Sequence, residues 1–256
     1  MAMAKIISVI NNKGGTGKTT TVLNLGAALK QLKYKVLLID LDGQSNLSRA
    51  LHINEPKNHV GELLLGKCPF EACLTEAEGM DVLPSVSNLL DYEYLINNEP
   101  GREFLLREVL GKTNSFDYIL IDCPPSMGTL SINSLVAAHH YIVPMQAENF
   151  AFIGLDRILQ IAEKVKTRMN MDLELAGILF VKYQTRTKFG QAVISNIAQN
   201  NYLKNKLFNA YIRQDINLME APAFGQSVFE YAPASRGAFD YMNFAKEFVK
   251  RYGKKK

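Results

Sequence analysis

Short, wholly apolar runs alternate along this chain with longer stretches in which apolar positions recur every three or four residues. Val36-Leu37-Leu38-Ile39 and Tyr118-Ile119-Leu120-Ile121 show no polar alternation. That is the pattern of strands buried on both faces of a parallel sheet. Strands are predicted over residues 5–10, 35–40, 80–83, 118–122, 141–145 and 176–181, with a weaker one at 208–212. Helical spacing predicts helices over 19–32, 102–110, 130–138, 154–169, 191–199 and 238–252. Strands that alternate with helices define an α/β fold, a mostly parallel twisted sheet with helices on both faces and right-handed crossovers. In such a sheet a ligand sits at the carboxyl ends of the strands. No Pro/Gly/Ser-rich linker and no internal repeat divides residues 1–256, so a single domain is expected.

The first predicted strand runs straight into Asn12-Lys13-Gly14-Gly15-Thr16-Gly17-Lys18-Thr19, and a helix pattern follows at once. Strand, glycine-rich turn and helix form the context in which a phosphate-binding loop has a mechanism. Glycines let backbone N–H groups close around phosphate oxygens, and the helix points its positive end at them. Lys18 is placed to reach the β- and γ-phosphates, and the Thr19 hydroxyl to hold Mg²⁺. The second and fourth predicted strands end in acids, Asp40-Leu41-Asp42 and Asp122-Cys123-Pro124-Pro125. An aspartate just past a buried strand is costly without a cation or donors nearby, and Mg²⁺ held with ATP supplies that partner. Asp40 and Asp122 are therefore metal candidates; each alone also fits a strand-end cap.

The loop ends in Gly-Lys-Thr, but Asn12 stands where the usual first glycine would be, and Lys13 adds a second lysine inside it. This pattern resembles the deviant Walker A loop of the ParA/MinD family of P-loop ATPases. The resemblance extends to Asp40-Leu41-Asp42-Gly43-Gln44-Ser45-Asn46, where Gly43 replaces a proline, to Val143-Pro144-Met145-Gln146-Ala147-Glu148, and to Glu220-Ala221-Pro222 and Ser235-Arg236-Gly237. It implies a P-loop NTPase fold and slow ATP hydrolysis with ATP and Mg²⁺ as cofactors. Lys13, Gly14, Gly15, Thr16, Gly17, Lys18, Thr19, Thr20, Glu148 and Arg213 are then the expected ATP-binding residues. Thr19, Asp40 and Asp122 serve the metal, and Lys13, Lys18 and Asp42 are catalytic, with Asp42 positioning the attacking water. The family also implies a homodimer in the ATP state, Lys13 crossing to the partner's nucleotide, non-specific DNA binding, and a ParB-like or cargo adaptor protein that stimulates hydrolysis. With no helix-turn-helix ahead of the loop, the small kind of ParA is expected.

Charge bears on the partner. The formal net charge is +4, and residues 171–256 hold 13 Lys and Arg against 7 Asp and Glu. This basic third suits a polyanion or is simply a solvated helical face. Arg186, Lys188, Arg213 and Arg236 are the expected DNA contacts. The segment 244–254 alternates apolar and basic residues at helical spacing; it fits a terminal helix packed on the sheet, or a MinD-like helix that lies on a membrane. No apolar run reaches the ~18–20 residues of a membrane span. Cys68, Cys73 and Cys123 have no metal spacing. Reduced thiols and a cytoplasmic protein are expected, and the ParA resemblance implies that it is nucleoid-associated.

Overall fold

The computed structural model describes residues 4–148, 151–183, 199 and 203–253. The apolar runs become β1 (Lys5–Val9), β2 (Val36–Asp40), β4 (Met80–Leu83), β5 (Tyr118–Asp122), β6 (His140–Met145) and β7 (Glu174–Phe180), with a short β3 at Thr75–Ala77. They form one sheet in the order β3-β4-β2-β5-β1-β6-β7. Every pairing is parallel except β3 with β4. In the β2–β5 register, Asp40 lies directly opposite Asp122.

Alternate residues of the central strands feed two cores, which is why these runs carry no polar positions. Val36, Leu38, Tyr118 and Leu120 face helix α1 (Lys18–Gln31), while Leu37, Ile39, Ile119 and Ile121 face the opposite layer. Beside α1 lies a long helix, Arg236–Tyr252, which buries Tyr241, Phe244, Ala245 and Phe248 in the same core. Burial of each such phenylalanine is worth about 1.5–3 kcal/mol. The apolar face of this helix is therefore used by the sheet. The other layer contains α5 (Leu105–Leu110), α6 (Thr129–Ala137) and α7 (Ala151–Arg168), with Leu106, Leu135 and Ile158 in its core. The short helices α2 (Asn46–Ala50), α3 (Val60–Leu64) and α4 (Leu89–Ile96) follow β2 and flank β4 in the chain.

Two expectations change. Residues 208–212 are not a strand: Leu207 and Arg213 form isolated bridges, and the Phe208 and Ile212 N–H groups donate to the Ile178 and Phe180 carbonyls at 3.1 and 2.8 Å, with no continuous ladder between them. Between them the Glu247 carboxylate accepts from the Asn209 and Ala210 N–H groups at 2.9 and 2.8 Å, and this pulls the segment out of ladder geometry. The helix expected at 102–110 starts at Leu105, after a turn at Gly101 with φ 68°. β3, α2, α3 and α4 were not expected at all. The helix expected at 191–199 falls outside the described residues but for Gln199. His139 and His140 sit at the start of β6, where the Ile6 N–H donates to His139 Nδ1 at 3.1 Å. Burial first, then the charge of Lys5, lowers both imidazoles, His140 to about 4.

Candidate functional site

The loop after β1 needs backbone that only glycine adopts cheaply. Gly15 and Gly17 have φ of 73° and 79°. At Gly17 a side chain would also press on Val181, whose Cγ2 lies 3.3 Å from where its Cβ would stand. Helix α1 starts directly after Gly17, with no side-chain cap and no acid in its first turn. Its leading N–H groups and positive end are thus left for an anion. They open into a cavity of about 530 Å³ whose walls include Gly15, Lys18, Thr19, Asp42, Asn46 and Pro125. An adjoining recess of about 130 Å³ is walled by Gly17, Thr20, Lys182, Arg213, Leu218 and Tyr241.

Lys18 is buried, and its Nζ donates to the Lys13 carbonyl at 3.3 Å. The Thr19 hydroxyl donates to Asp122 Oδ2 at 2.6 Å. Asp122 Oδ1 is buried without a hydrogen-bond partner among the described residues. Burial, then repulsion from Asp40, holds the Asp122 carboxyl well above the ordinary carboxylate range, against the lowering effects of Thr19 and Lys18. A hydroxyl and an orphaned carboxylate oxygen at a helix start make an oxygen donor set that fits Mg²⁺ and its waters. The predicted metal pair Thr19 and Asp122 is therefore brought together.

Asp40 is used differently. Its Oδ1 accepts from the Asp42 N–H at 3.0 Å, and its Oδ2 accepts from the Ser48 N–H and hydroxyl at 2.9 and 2.8 Å. Burial pushes its carboxyl up to about 6, with the Ser48 and Asp42 hydrogen bonds opposing and the Asp42 charge adding. It anchors the loop that carries Asp42. That loop is further fixed by Gln44 N–H to Asp42 Oδ1 at 3.0 Å and by the Ser85 hydroxyl to the Asp42 carbonyl at 2.8 Å. Gly43 in place of proline thus leaves the loop tied by hydrogen bonds, with Asp42 on the cavity wall.

Lys13 stands apart from the cavity walls. Its ammonium pairs with Glu148 at the rim, and the two side chains are 62% and 45% exposed. The Arg213 guanidinium is committed to Asp240, at 2.9 and 2.7 Å, so it braces the recess and is not a free phosphate contact. Arg236 is exposed at the start of the long helix. Arg186 and Lys188 lie outside the described residues. Sequence reading missed Ser48 and Ser85, which carry no motif signal, and Lys182, whose Nζ reaches the Gly15 carbonyl at 3.2 Å.

A glycine-rich loop between a central strand and a helix, a buried loop lysine, and a threonine bonded to an acid on the next strand define a P-loop nucleotide-binding protein. A family model described as an AAA domain matches residues 4–175. The chain is 37% identical to the chromosome-partitioning ATPase Soj of Treponema pallidum, over 99% of this chain and 100% of that protein. It is 36% identical to the sporulation initiation inhibitor protein Soj of Bacillus subtilis, over 96% and 98%. A solved structure named cobyrinic acid a,c-diamide synthase, from Mycobacterium smegmatis with bound ADP and magnesium, has a TM-score of 0.86 and 34% identity, covering 98% of this chain and 96% of that one. The chain belongs to the ParA/MinD family of P-loop ATPases. Its activity is ATP hydrolysis, with ATP and Mg²⁺ as cofactors.

Proposed function

We propose that this protein is a DNA-partitioning switch: ATP joins two copies face to face, the dimer binds DNA non-specifically, and hydrolysis stimulated by a ParB-like or cargo adaptor protein resets it. The observation that carries this reading is the division of labour between two loop lysines. Lys18 is buried on the cavity wall, whereas Lys13 projects at the rim on an exposed pair with Glu148. A rim ammonium adds nothing to its own subunit's cradle but can reach a nucleotide presented by a second copy. The names of the Treponema relative and of ParA from Myxococcus xanthus, 34% identical, support chromosome partition as the task.

Chemically, the chain's part is to position and to neutralise. The α1 N–H groups and Lys18 hold the phosphates, Thr19 and Asp122 hold the cation, which supplies charge compensation, and Asp42 faces the cavity to orient the attacking water. DNA would be met by exposed cations such as Arg236 through phosphate contacts that carry no sequence information. A membrane-bound, MinD-like role is disfavoured, because Tyr241, Phe244 and Phe248 of the long helix are in the core. Among the described residues no helix is long and apolar enough to cross a membrane.

The Asp42→Ala protein tests the switch. With excess Mg-ATP it is expected to scatter light as a stable dimer, to retard DNA of any sequence, and to hydrolyse ATP at least about 100-fold more slowly than the unaltered protein. A lone protomer under these conditions, or an unchanged rate, refutes the reading. Turnover raised by a carboxylate acceptor, with amide formed mole for mole, would instead favour a synthase like the one named for the mycobacterial structure.

A further inference from the structure

Lys182 lies at the end of β7, on the wall shared by the cavity and its adjoining recess. Its backbone φ is 50°, the left-handed region, where a lysine is strained. The strain is enforced from both sides: the Val181 N–H donates to the Met145 carbonyl and the Tyr183 N–H to the Ile212 carbonyl, each at 2.9 Å. The turn sends the Lys182 side chain back over the loop, where Nζ lies 3.2 Å from the Gly15 carbonyl oxygen. The same oxygen accepts from Gln146 Nε2 at 2.7 Å. Two donors from two different strand ends thus converge on one carbonyl of the phosphate loop. Strain that persists only because its surroundings over-determine it is most often found where a site is preorganised.

We propose that Lys182 is a nucleotide-positioning residue: together with Gln146 it holds the Gly15 carbonyl, and so fixes the direction of the Thr16 N–H toward the phosphates. The peptide plane supplies the link. In a trans peptide the Gly15 C=O and the Thr16 N–H point in opposite directions, so a carbonyl pinned on one side presents the N–H on the other. Gly15, at φ 73°, is free to flip that plane. A flipped plane would turn a lone pair toward the phosphates in place of a donor. Lys182 removes this alternative, and its charge adds to that of Lys18 around the same cavity.

The proposal rests on the nucleotide-binding site and not on dimerisation or DNA, so it is tested with ADP, which needs neither. Fluorescent ADP with Mg²⁺ is titrated into the full chain and into Lys182→Met, Lys182→Arg and Lys182→Gly, with Lys246→Met, an exposed lysine on the long helix, as the control for loss of one positive charge. Lys182→Met is expected to weaken ADP binding about tenfold, and Lys182→Arg, which keeps a donor, to stay within about threefold of the unaltered protein. Lys182→Gly separates positioning from folding. Glycine relieves the left-handed strain, so its melting temperature without nucleotide should be no lower, while its ADP affinity falls as far as that of Lys182→Met. ADP affinities within twofold of the unaltered protein for both Lys182→Met and Lys182→Gly overturn the proposal. So does a loss no greater than that of Lys246→Met. If Lys182→Met folds poorly, the arginine and glycine variants still decide.

Discussion

Lys13 and Lys18 stand five positions apart in one loop, yet their surroundings give them different tasks. Lys18 is 6% exposed and points along the cavity wall. Lys18→Ala should abolish measurable ATP binding in a nucleotide titration while leaving the fold intact, since the loop backbone is set by Gly15 and Gly17. The Lys13–Glu148 pair is a mutual restraint at the rim. Exposed ion pairs contribute no more than about 1 kcal/mol. Glu148→Gln should therefore lower the ATP concentration needed for half-maximal dimerisation, by no more than about fivefold, read by light scattering. A rise instead would mean that Glu148 itself holds the partner subunit. Much of the site was legible at this scale: Asn12–Thr19, Asp42 and Asp122 stand where motif and strand ends place them. The anchors were not. Ser48 holds Asp40 across 8 positions, Ser85 holds Asp42 across 43, and Lys182 reaches Gly15 across 167. Such partners have no local signal; they are adjacent because the segments that follow β1, β2, β4 and β7 meet at one edge of the sheet.

At the scale of elements, the strands with unbroken apolar runs were the most legible, because burial on both faces leaves no freedom of pattern. β5 occupies the expected residues and β2 starts one residue late. α4 was hidden for the opposite reason. Its sequence, Leu-Leu-Asp-Tyr-Glu-Tyr-Leu-Ile, buries only its end residues Leu89 and Ile96 and leaves Leu90, Tyr94 and Leu95 exposed, so no apolar stripe is visible. The long helix Arg236–Tyr252 depends on its aromatic face. Phe244→Ala should cost about 3–5 kcal/mol in urea unfolding, through lost transfer energy and the cavity left against Phe208 and Phe248. The end of this helix meets β6, where the His140 ring lies 4.8 Å from that of Tyr252. The His140 imidazole is lowered from 6.5 to about 4 by burial, so the unfolded chain binds more protons than the folded one between those values. The His140 contribution to stability should then fall as pH drops from 6.5 to 4, against the opposite contribution of Asp40, whose raised carboxyl takes up its proton first in the folded chain. His140→Phe should flatten that part of the pH dependence, measured by thermal melts at stepped pH. An unchanged profile would place the titration elsewhere.

For the whole molecule, the excess of positive charge in the last third is in part already spent inside the fold. Arg213 is bound to Asp240, Arg251 to Glu247 and the Leu207 carbonyl, and Lys182 to the Gly15 carbonyl. Exposed cations such as Arg236, Lys246 and Lys250 predict DNA binding that is sequence-independent and falls steeply with salt. The slope of log K against log salt should approach about −0.9 per phosphate contacted, and be about twice as steep for the dimer as for one copy. A flat salt dependence in filter binding would remove DNA as the partner. The facing carboxyls of Asp40 and Asp122, one on each of two neighbouring strands, have a consequence for the life of the protein in a cell. Without a bound cation these two groups repel each other, buried at the carboxyl ends of their strands, so the empty form is the less stable one. Saturation with Mg-nucleotide a hundredfold above its dissociation constant adds about 2.7 kcal/mol to folding. Under starvation, proteases would find this chain unfolded more often, and the supply of triphosphate would thereby set how many copies survive as well as how many are switched on.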